Sequence, residues 1–318
     1  MLTDTHVHFD GLMQAGDTIA VIMARAAQAG VSRMLAIGGA LTANRTALEI
    51  ARAYPERVRA AVGYNRDLAA VAFGQLPACR LVHRSPDLSE SRGEGGNPLD
   101  EGGTMDTPVP ERCGEQATAC PSSVRGGGKQ MMDELESMLA APETAAIGEI
   151  GLDFHHGRTT DAAQIVLFNR MLALARDYRL PVCVHTRAAE AETLAALRAH
   201  AAAWCGAPDR IGVMHCFTGG EGFARDLLAL GFYISFSGIL TFRNAGNLRA
   251  VAALVPDDRL LIETDSPYLA PEPFRGQPNA PAHVRRVAEV LAEIRRTSRE
   301  KIAEITARNA GKLFQIIR

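Results

Sequence analysis

The sequence predicts an α/β protein that folds as a single (β/α)8 TIM barrel, and three observations favour this class. Short apolar runs typical of β-strands alternate along the chain with alanine-rich amphipathic segments typical of helices. There are eight such runs, the number that closes a parallel sheet into a barrel. The 318 residues, 47% of them hydrophobic, suffice for a large core. A doubly wound open sheet is the alternative, but no glycine-rich dinucleotide fingerprint follows a strand.

The elements are predicted in chain order from the period of the apolar residues. The predicted strands are residues 2–8, 33–37, 58–63, 145–151, 181–185, 211–216, 232–236 and 260–264. The predicted helices are residues 17–29, 43–53, 161–178, 188–202, 222–230 and 245–254, followed by a last helix that opens at Thr297. Two pairs resemble an N-cap with its capping box, namely Asp161 with Gln164 and Thr297 with Glu300. Gly30 and Gly231 stand where helix C-caps are expected.

One segment interrupts the alternation, at about residues 84–128. It is rich in glycine, proline and serine, has few aromatic residues and shows no hydrophobic period. Such a segment buries too little apolar surface to offset its ordering entropy, so we expect it to be disordered. The chain is therefore predicted to be one barrel domain over residues 1–318, with this low-complexity insertion in the loop after the third strand.

Bulk composition narrows the classes of function. The formal net charge of −2 argues against a protein that coats nucleic acid by charge alone, so any such contact would depend on a few arginines near a site. The six cysteines form no C-x-x-C pair and fit free thiols in a reducing compartment. No secretory leader or membrane-length apolar run is visible, which predicts a cytoplasmic protein without a membrane partner. No feature indicates an obligate protein partner.

Polar residues at the ends of the predicted strands are the candidates for chemistry. Side chains alternate along a strand, so His6 and His8 share one face and can both reach a single metal ion. Four further nitrogen or oxygen donors follow on other strands: Glu149, His185, His215 and Asp265. A donor set without thiolate is typical of a catalytic metal site rather than a structural one.

Several blocks in the same order resemble the TatD family of metal-dependent hydrolases, which are deoxyribonucleases with amidohydrolase-like barrels. The matching stretches are residues 4–8, 148–153, 181–187, 215–219, 235–238, 263–269, 275–276 and 306–314. The resemblance covers nearly all of the chain except the insertion. Its one clear departure lies after the third strand, where the family usually has Gly-x-His-Pro and this chain has Gly63-Tyr64-Asn65-Arg66.

The resemblance implies that two divalent cations (Mg, Mn or Zn) are the cofactors. One would be held by His6, His8 and Asp265, and the other by His185 and His215, with Glu149 bridging the two. Many related barrels use a carboxylated lysine as the bridge, but the only lysines are Lys129, Lys301 and Lys312, none on a barrel strand. Two cations about 3.5–4 Å apart can activate a water and polarise a phosphoryl oxygen. Asp265 is then the expected general base, and Glu149 the second catalytic residue.

Other residues are assigned by position. Asp4 and Glu263 are expected inside the barrel, where they either support the metal ligands or form a buried polar pair without a catalytic part. Arg187 and Arg275 are candidates for binding a substrate phosphate, and the alternative is that each is a solvated surface residue. His155 and His156 follow the fourth strand on the catalytic side and could touch substrate, although solvation in the loop is the favoured interpretation.

Three hypotheses of function follow from the sequence. The first is a two-metal phosphodiesterase that acts on DNA, from an end of the strand. The second is a hydrolase of another ester or amide on the same barrel, such as an aminoacyl ester on tRNA or a small-molecule ester. The third is a metal-binding scaffold without catalysis, which the presence of all six donors argues against.

Overall fold

The computed structural model describes residues 1–69, 126–156 and 161–316. In this part of the chain, eight parallel strands follow one another around a single sheet in chain order. The strands are β1 (Leu2–Val7), β2 (Val31–Gly39), β3 (Val58–Tyr64), β4 (Thr144–Asp153), β5 (Val182–Arg187), β6 (Gly212–Met214), β7 (Tyr233–Phe236) and β8 (Leu260–Ile262). Each overlaps the strand that the sequence predicts at that place, and the predicted TIM-barrel class is confirmed.

Helices follow the strands around the outside of the barrel. They are α1 (Phe9–Gln14), α2 (Ile19–Gln28), α3 (Leu41–Ala53), α4 (Gly126–Leu139), α5 (Asp161–Tyr178), α6 (Glu190–Ala202), α7 (Glu221–Ala229), α8 (Gly246–Leu254), α9 (Val284–Arg295) and α10 (Arg299–Phe314). The sequence did not predict α1, since its six residues are too few to show a helical period. None of the described helices has the length and apolarity needed to cross a bilayer.

The barrel is closed by contacts between β1 and the segment that follows β8, beside the predicted ligands His6 and Asp265. Val7 bridges to Ser266 in parallel, and the Asp265 N–H donates to the carbonyl of His6 at 3.0 Å. The fully buried Asp4 carboxylate accepts from the Thr264 N–H at 2.9 Å and from the Thr264 hydroxyl at 2.6 Å. Burial raises the pKa of Asp4 to about 8. This side chain therefore has the interior role that the sequence predicts, because it joins the first strand to the end of the last.

The core has two layers. The larger layer lies between the outer faces of the strands and the helices, as the amphipathic period of the helices requires. The smaller layer fills the barrel with Leu35, Ile37, Ala61, Val213 and Tyr233, together with other strand residues. Leu313, Phe314 and Ile316 from the end of the chain belong to the same inner layer. The interior is therefore packed with side chains, and the polar site occupies only the end where the strands finish.

Two of the predicted helix starts are corrected by the structure. The last helix is capped by Ser298, whose hydroxyl accepts from the Lys301 N–H at 3.1 Å, and not by Thr297. Gln164 makes no capping box. Its buried side chain instead accepts from the Asp153 N–H at 2.9 Å and donates to the Asp153 carbonyl at 3.0 Å. The C-cap predictions hold, since Gly30 and Gly231 have φ of +83° and +89°.

The predicted insertion falls largely outside the described residues. Residues 84–125 are not among them, so the expectation of disorder there stays a prediction. Helix α4 begins at Gly126, and the last three residues of the predicted insertion are therefore helical.

Candidate metal centre

Local backbone geometry brings the six predicted ligands to the carboxyl ends of five strands. His6 lies within β1 and His8 directly after it, Glu149 lies within β4, and His185 lies within β5. His215 follows β6, and Asp265 comes three residues after β8. Asp265 has φ of +59°, a left-handed conformation that is costly for a residue other than glycine. Hydrogen bonds from its N–H to His6 and from the Tyr268 N–H to its carbonyl hold this conformation.

Glycines let β4 approach β5 closely enough for Glu149 to meet the histidines. A Cβ on Gly151 would lie 2.0 Å from the carbonyl oxygen of His185, and the φ of Gly151 is +137°. A Cβ on Gly148 would lie 2.6 Å from the Cβ of Cys183. Only glycine fits at these two positions, and the carboxylate between them is drawn against β5.

The first group of ligands, which we call the His6 cluster, consists of His6, His8 and Asp265. The two Nε2 atoms are 3.1 Å apart, and Asp265 Oδ1 lies 3.7 Å from His6 Nε2 and 3.5 Å from His8 Nε2. His6 is fully buried, and burial together with the neighbouring histidines lowers its pKa well below the usual value. This favours the neutral imidazole, which is the form that binds a metal.

The second group, the Glu149 cluster, consists of Glu149, His185 and His215. Glu149 Oε1 lies 3.1 Å from His185 Nδ1 and 3.2 Å from His215 Nε2, and the two nitrogens are 3.3 Å apart. Burial raises the pKa of Glu149, but hydrogen bonds from both histidines outweigh it and hold the pKa well below its usual range. The carboxylate is therefore ionised.

The two clusters adjoin through Glu149 and through a pair of rings. Glu149 Oε2, the oxygen that faces away from its own cluster, lies 3.9 Å from His8 Nε2. The His6 and His215 rings are stacked with centroids 3.9 Å apart. Both oxygens of one carboxylate thus face separate groups of nitrogen donors.

The spacing of the donors fits divalent metal ions. Ligand atoms around a tetrahedral zinc ion, with bonds of about 2.0–2.1 Å, stand about 3.3 Å from one another. The distances within the Glu149 cluster are 3.1–3.3 Å, and those within the His6 cluster are 3.1–3.7 Å. In both groups the nitrogen and oxygen donors converge on one point, as imidazole and carboxylate ligands of a metal do.

Buried carboxylates on the far side of the histidines orient their rings. Glu263 Oε1 lies 3.3 Å from His215 Nδ1 and accepts from the Cys216 N–H at 2.7 Å. Burial lowers the pKa of His215, but Glu149 and Glu263 on its two sides raise it well above the usual value. Glu263 therefore lies behind a candidate ligand, which is the first of the two positions that the sequence left open for it. A carboxylate behind a ligand histidine fixes the ring and its tautomer.

Asp153 has the same place behind His185 and is a residue that the sequence analysis passed over. Its Oδ2 lies 3.2 Å from His185 Nε2 and 3.0 Å from His156 Nδ1, and its Oδ1 accepts from the N–H groups of His155 and His156. Burial raises the pKa of Asp153, but the bonds from these histidines outweigh it and hold the pKa well below its usual range. Strand period could have found it, because Asp153 has the same parity as Glu149 on β4.

Most of the predicted ligands line a cleft of about 690 Å³. Its lining includes Arg187, as the sequence predicts, and also Arg66, His156 and Tyr268. Tyr268 is 57% exposed and meets the His8 ring edge-on at 5.8 Å, although the sequence analysis assigned it no role. Arg275 is not among the residues of this lining. Its guanidinium lies 4.0 Å over the Phe242 ring, and its Nη1 is 3.4 Å from the Ala270 carbonyl.

A TIM barrel with two adjoining groups of metal donors in one cleft belongs structurally to the metal-dependent hydrolases. The sequence profile of the family described as "TatD related DNase" matches residues 3–315. The chain therefore belongs to the TatD family of metal-dependent hydrolases, as its motifs predict.

Individual relatives agree with this placement. The chain is 48% identical over 185 residues to the uncharacterized metal-dependent hydrolase YcfH of Escherichia coli K12. The aligned region covers 58% of this chain and 68% of YcfH. It is 31% identical over 320 aligned positions to the 3'-5' ssDNA/RNA exonuclease TatD of Edwardsiella piscicida, covering 99% of this chain and all of that protein. Among solved structures, the TatD homologue YjjV of E. coli is 27% identical with a TM-score of 0.73, covering 99% of this chain and 98% of YjjV.

Proposed function

We propose that this protein hydrolyses phosphodiester bonds of single-stranded nucleic acid from an end, using two divalent cations. The observation that carries the proposal is the position of Glu149, whose Oε1 faces His185 and His215 while its Oε2 faces His8. A carboxylate between two groups of imidazoles is the arrangement of a bridging ligand. The substrate is inferred from the relative named as a 3'-5' ssDNA/RNA exonuclease, which this chain matches over its whole length.

The residues of the cleft have different roles in the proposed hydrolysis. Cations held by the His6 and Glu149 clusters would polarise a phosphoryl oxygen and lower the pKa of an attacking water. Asp265 lines the cleft and would accept the proton of that water. Tyr268 offers an exposed ring on which a base can stack. Arg187 lines the same cleft and can bind a substrate phosphate, while Arg275 stays a predicted phosphate contact just outside the lining.

Glu263 and Asp153 hold the histidines while the substrate binds. Each is almost fully buried and faces the ring nitrogen opposite the one that points into the cluster. This arrangement keeps the nitrogen donors directed at the cations without reorganisation during turnover. The predicted cytoplasmic location remains a prediction.

The test is a substrate screen on metal-replete protein. We expect loss of nucleotides from a linear single strand labelled at either end, with no cleavage of a covalently closed single-stranded circle. The same preparation is offered p-nitrophenyl esters and an aminoacyl-tRNA. Activity on these esters together with none on nucleic acid would reject the proposed substrate, and cleavage of the circle would reject the requirement for an end. Asp265→Asn protein is the control against a contaminating nuclease.

A further inference from the structure

Arg66 lies in the cleft at the place where the motif after the third strand departs from the family pattern. It opens a one-turn 3-10 helix, Arg66–Leu68, directly after β3, and its side chain is 20% exposed. The guanidinium Nε is 3.5 Å from Asp153 Oδ2, and Nη1 is 3.8 Å from Glu149 Oε1. A fixed positive charge thus stands beside the Glu149 cluster and faces the open volume of the cleft.

The backbone that carries Arg66 is held firmly. The buried Asn44 side chain bonds to the N–H groups of Gly39 and Gly63 and to the Gly63 carbonyl, which ties the ends of β2 and β3 together. The Asn65 N–H donates to the Gly39 carbonyl at 2.9 Å, and the Asn65 side chain accepts from the Asp67 N–H at 3.1 Å. The position of Arg66 is therefore set before a ligand binds, which reduces the entropy lost on binding.

Asp153 connects Arg66 to the second arginine of the cleft. Its Oδ2 also meets His156 Nδ1 at 3.0 Å, and His156 Nε2 lies 3.5 Å from Arg187 Nη1. Arg66 therefore contacts the buried Asp153 carboxylate directly, and Arg187 is connected to it through His156. Both guanidinium groups line the cleft that also contains Asp153, Glu149, Asp265 and Tyr268.

We propose that Arg66 and Arg187 form an anion subsite that binds one phosphate of the substrate on the Asp153 wall of the cleft. Planar guanidinium groups match the oxygens of a phosphate, and two of them lining one cleft favour an anionic group over a neutral ester. The phosphate bound there lies beside the Glu149 cluster, with the base directed towards Tyr268. This inference rests on the proposed function, because it assigns a place to a phosphate of the nucleic acid strand.

The test measures binding, so that it does not depend on turnover. Asp265→Asn protein in a saturating excess of Mn²⁺ is titrated with fluorescent single strands in which one phosphate at a time is replaced by a neutral methylphosphonate. We expect Arg66→Ala to weaken binding of the unmodified strand by about 10- to 100-fold, the effect of one charge-assisted contact. One methylphosphonate position should weaken binding to Arg66-containing protein by a similar factor and have little effect on the Arg66→Ala protein.

Controls separate substrate binding from support of the metal ligands. Arg66→Ala should bind Mn²⁺ or Zn²⁺ with the affinity and stoichiometry of its parent, and Arg66→Lys should recover part of the strand affinity because it keeps the charge. Arg225→Ala removes an arginine that pairs with Glu221 on α7 outside the cleft, and it should bind strands like its parent. A loss of metal affinity in Arg66→Ala would overturn the subsite and make Arg66 a positioning residue for Glu149.

The outcomes distinguish this inference from the proposed function. Unchanged strand affinity in Arg66→Ala, or losses that add at every methylphosphonate position, would overturn the subsite while leaving the hydrolysis of nucleic acid intact. Arg66-dependent binding by a wild-type protein that cleaves no strand would support the subsite and reject the proposed hydrolysis. Absence of both binding and cleavage would reject both.

Discussion

Single carboxylates of this protein differ in what they do because their surroundings differ. Glu149 and Asp153 are both buried on β4, yet of the two only Glu149 lies between the His6 cluster and the histidines of its own cluster. Asp153 uses both oxygens on the groups behind His185 and cannot enter a cluster. Asp265 is held at a positive φ and lines the cleft, where we expect it to meet both a cation and a water. The role of each carboxylate therefore depends on which groups its oxygen lone pairs face.

The first prediction concerns Asp265. The Asp265→Asn variant should reduce kcat by about 100- to 10,000-fold, because the amide can neither accept the proton nor bind a cation as an anion. Single-turnover kinetics on the labelled strand would measure this, and circular dichroism should show an intact fold. Asp226→Asn, on α7 at the outside of the barrel, is the matched control and should leave kcat unchanged. Near-wild-type kcat in Asp265→Asn would exclude the assigned role.

The second prediction concerns Asp153. Asp153→Asn should weaken binding of the cation at the Glu149 cluster by about 10- to 100-fold, because His185 loses the charged group that orients its ring. The His6 cluster has no contact with Asp153 and should keep its affinity. Calorimetric titration would resolve the two sites. Asp161→Asn, an exposed residue of α5, provides the control, and two ions bound with wild-type affinity by Asp153→Asn would contradict the prediction.

Close backbone contacts between the strands and helices set the positions of these carboxylates, and few sequence patterns reveal such contacts. Gly148 and Gly151 bring β4 against β5, and Gln164 of α5 clamps the backbone of Asp153. The capping-box pattern predicted a local role for Gln164, and that was wrong because the buried amide finds better partners on the neighbouring strand. The Gln164 side chain thus does not cap its own helix, because it forms a pair of hydrogen bonds with the backbone of Asp153 instead.

A buried histidine of helix α6, His200, makes the stability of the folded protein depend on pH. His200 of α6 is fully buried, with Nδ1 3.3 Å from Arg176 Nη1 and the Trp204 ring 5.4 Å away. Burial, with a smaller effect of the Arg176 charge, lowers the pKa of His200 to about 4. The unfolded chain binds a proton near pH 6.5, whereas the folded chain does so only near pH 4. His200 therefore favours the folded state above pH 6.5, and this advantage is lost as the pH falls to about 4.

The third prediction follows from this difference. His200→Gln should abolish this part of the pH dependence, which amounts to about 3 kcal/mol in the free energy of unfolding between pH 7 and pH 4. Urea unfolding of both proteins over this range would give the difference. His155→Gln, which removes an exposed imidazole, is the control. A His200→Gln protein whose free energy of unfolding keeps the wild-type slope would show that His200 is not the group responsible.

At the scale of the whole molecule, metal binding and barrel closure are connected. The donors come from β1, β4 and β5 and from the segments after β6 and β8, while Asp4, Thr264 and Ser266 join the first strand to the end of the last. A cation bound by such ligands holds together parts of the chain that are far apart in sequence. Binding to the folded state alone therefore stabilises the entire barrel.

The fourth prediction is a loss of stability when the metal is removed. At a free metal concentration about 100 times the Kd, each site should add about 2.7 kcal/mol to the free energy of unfolding and raise the unfolding midpoint by several degrees. Calorimetry with Mn²⁺ or Zn²⁺, and again after chelation, would measure this. A His185→Ala, His215→Ala protein should keep only the part contributed by the His6 cluster. A midpoint that is independent of metal would argue against the site.

The sequence by itself determined the barrel and indicated six candidate donors. Alternating apolar runs and amphipathic segments recur eight times, and strand parity places His6 beside His8, so these features depend only on local periodicity. The family follows from motifs that are each contiguous in the chain. The interior positions of Asp4 and Glu263 could be predicted for the same reason, because Asp4 lies on β1 and Glu263 directly follows β8, each two residues from a predicted ligand.

Only the tertiary structure decided the environment around those donors. Arg66 follows one strand and Asp153 ends the next, and the guanidinium reaches the carboxylate because the sheet curves and brings their side chains to one wall. Arg187 at the end of β5 lines the cleft while Arg275 stacks on Phe242, although both arginines belong to stretches that match the family. Periodicity fixes which face of a strand a side chain takes. Distances between side chains of different loops are set by how the closed barrel packs.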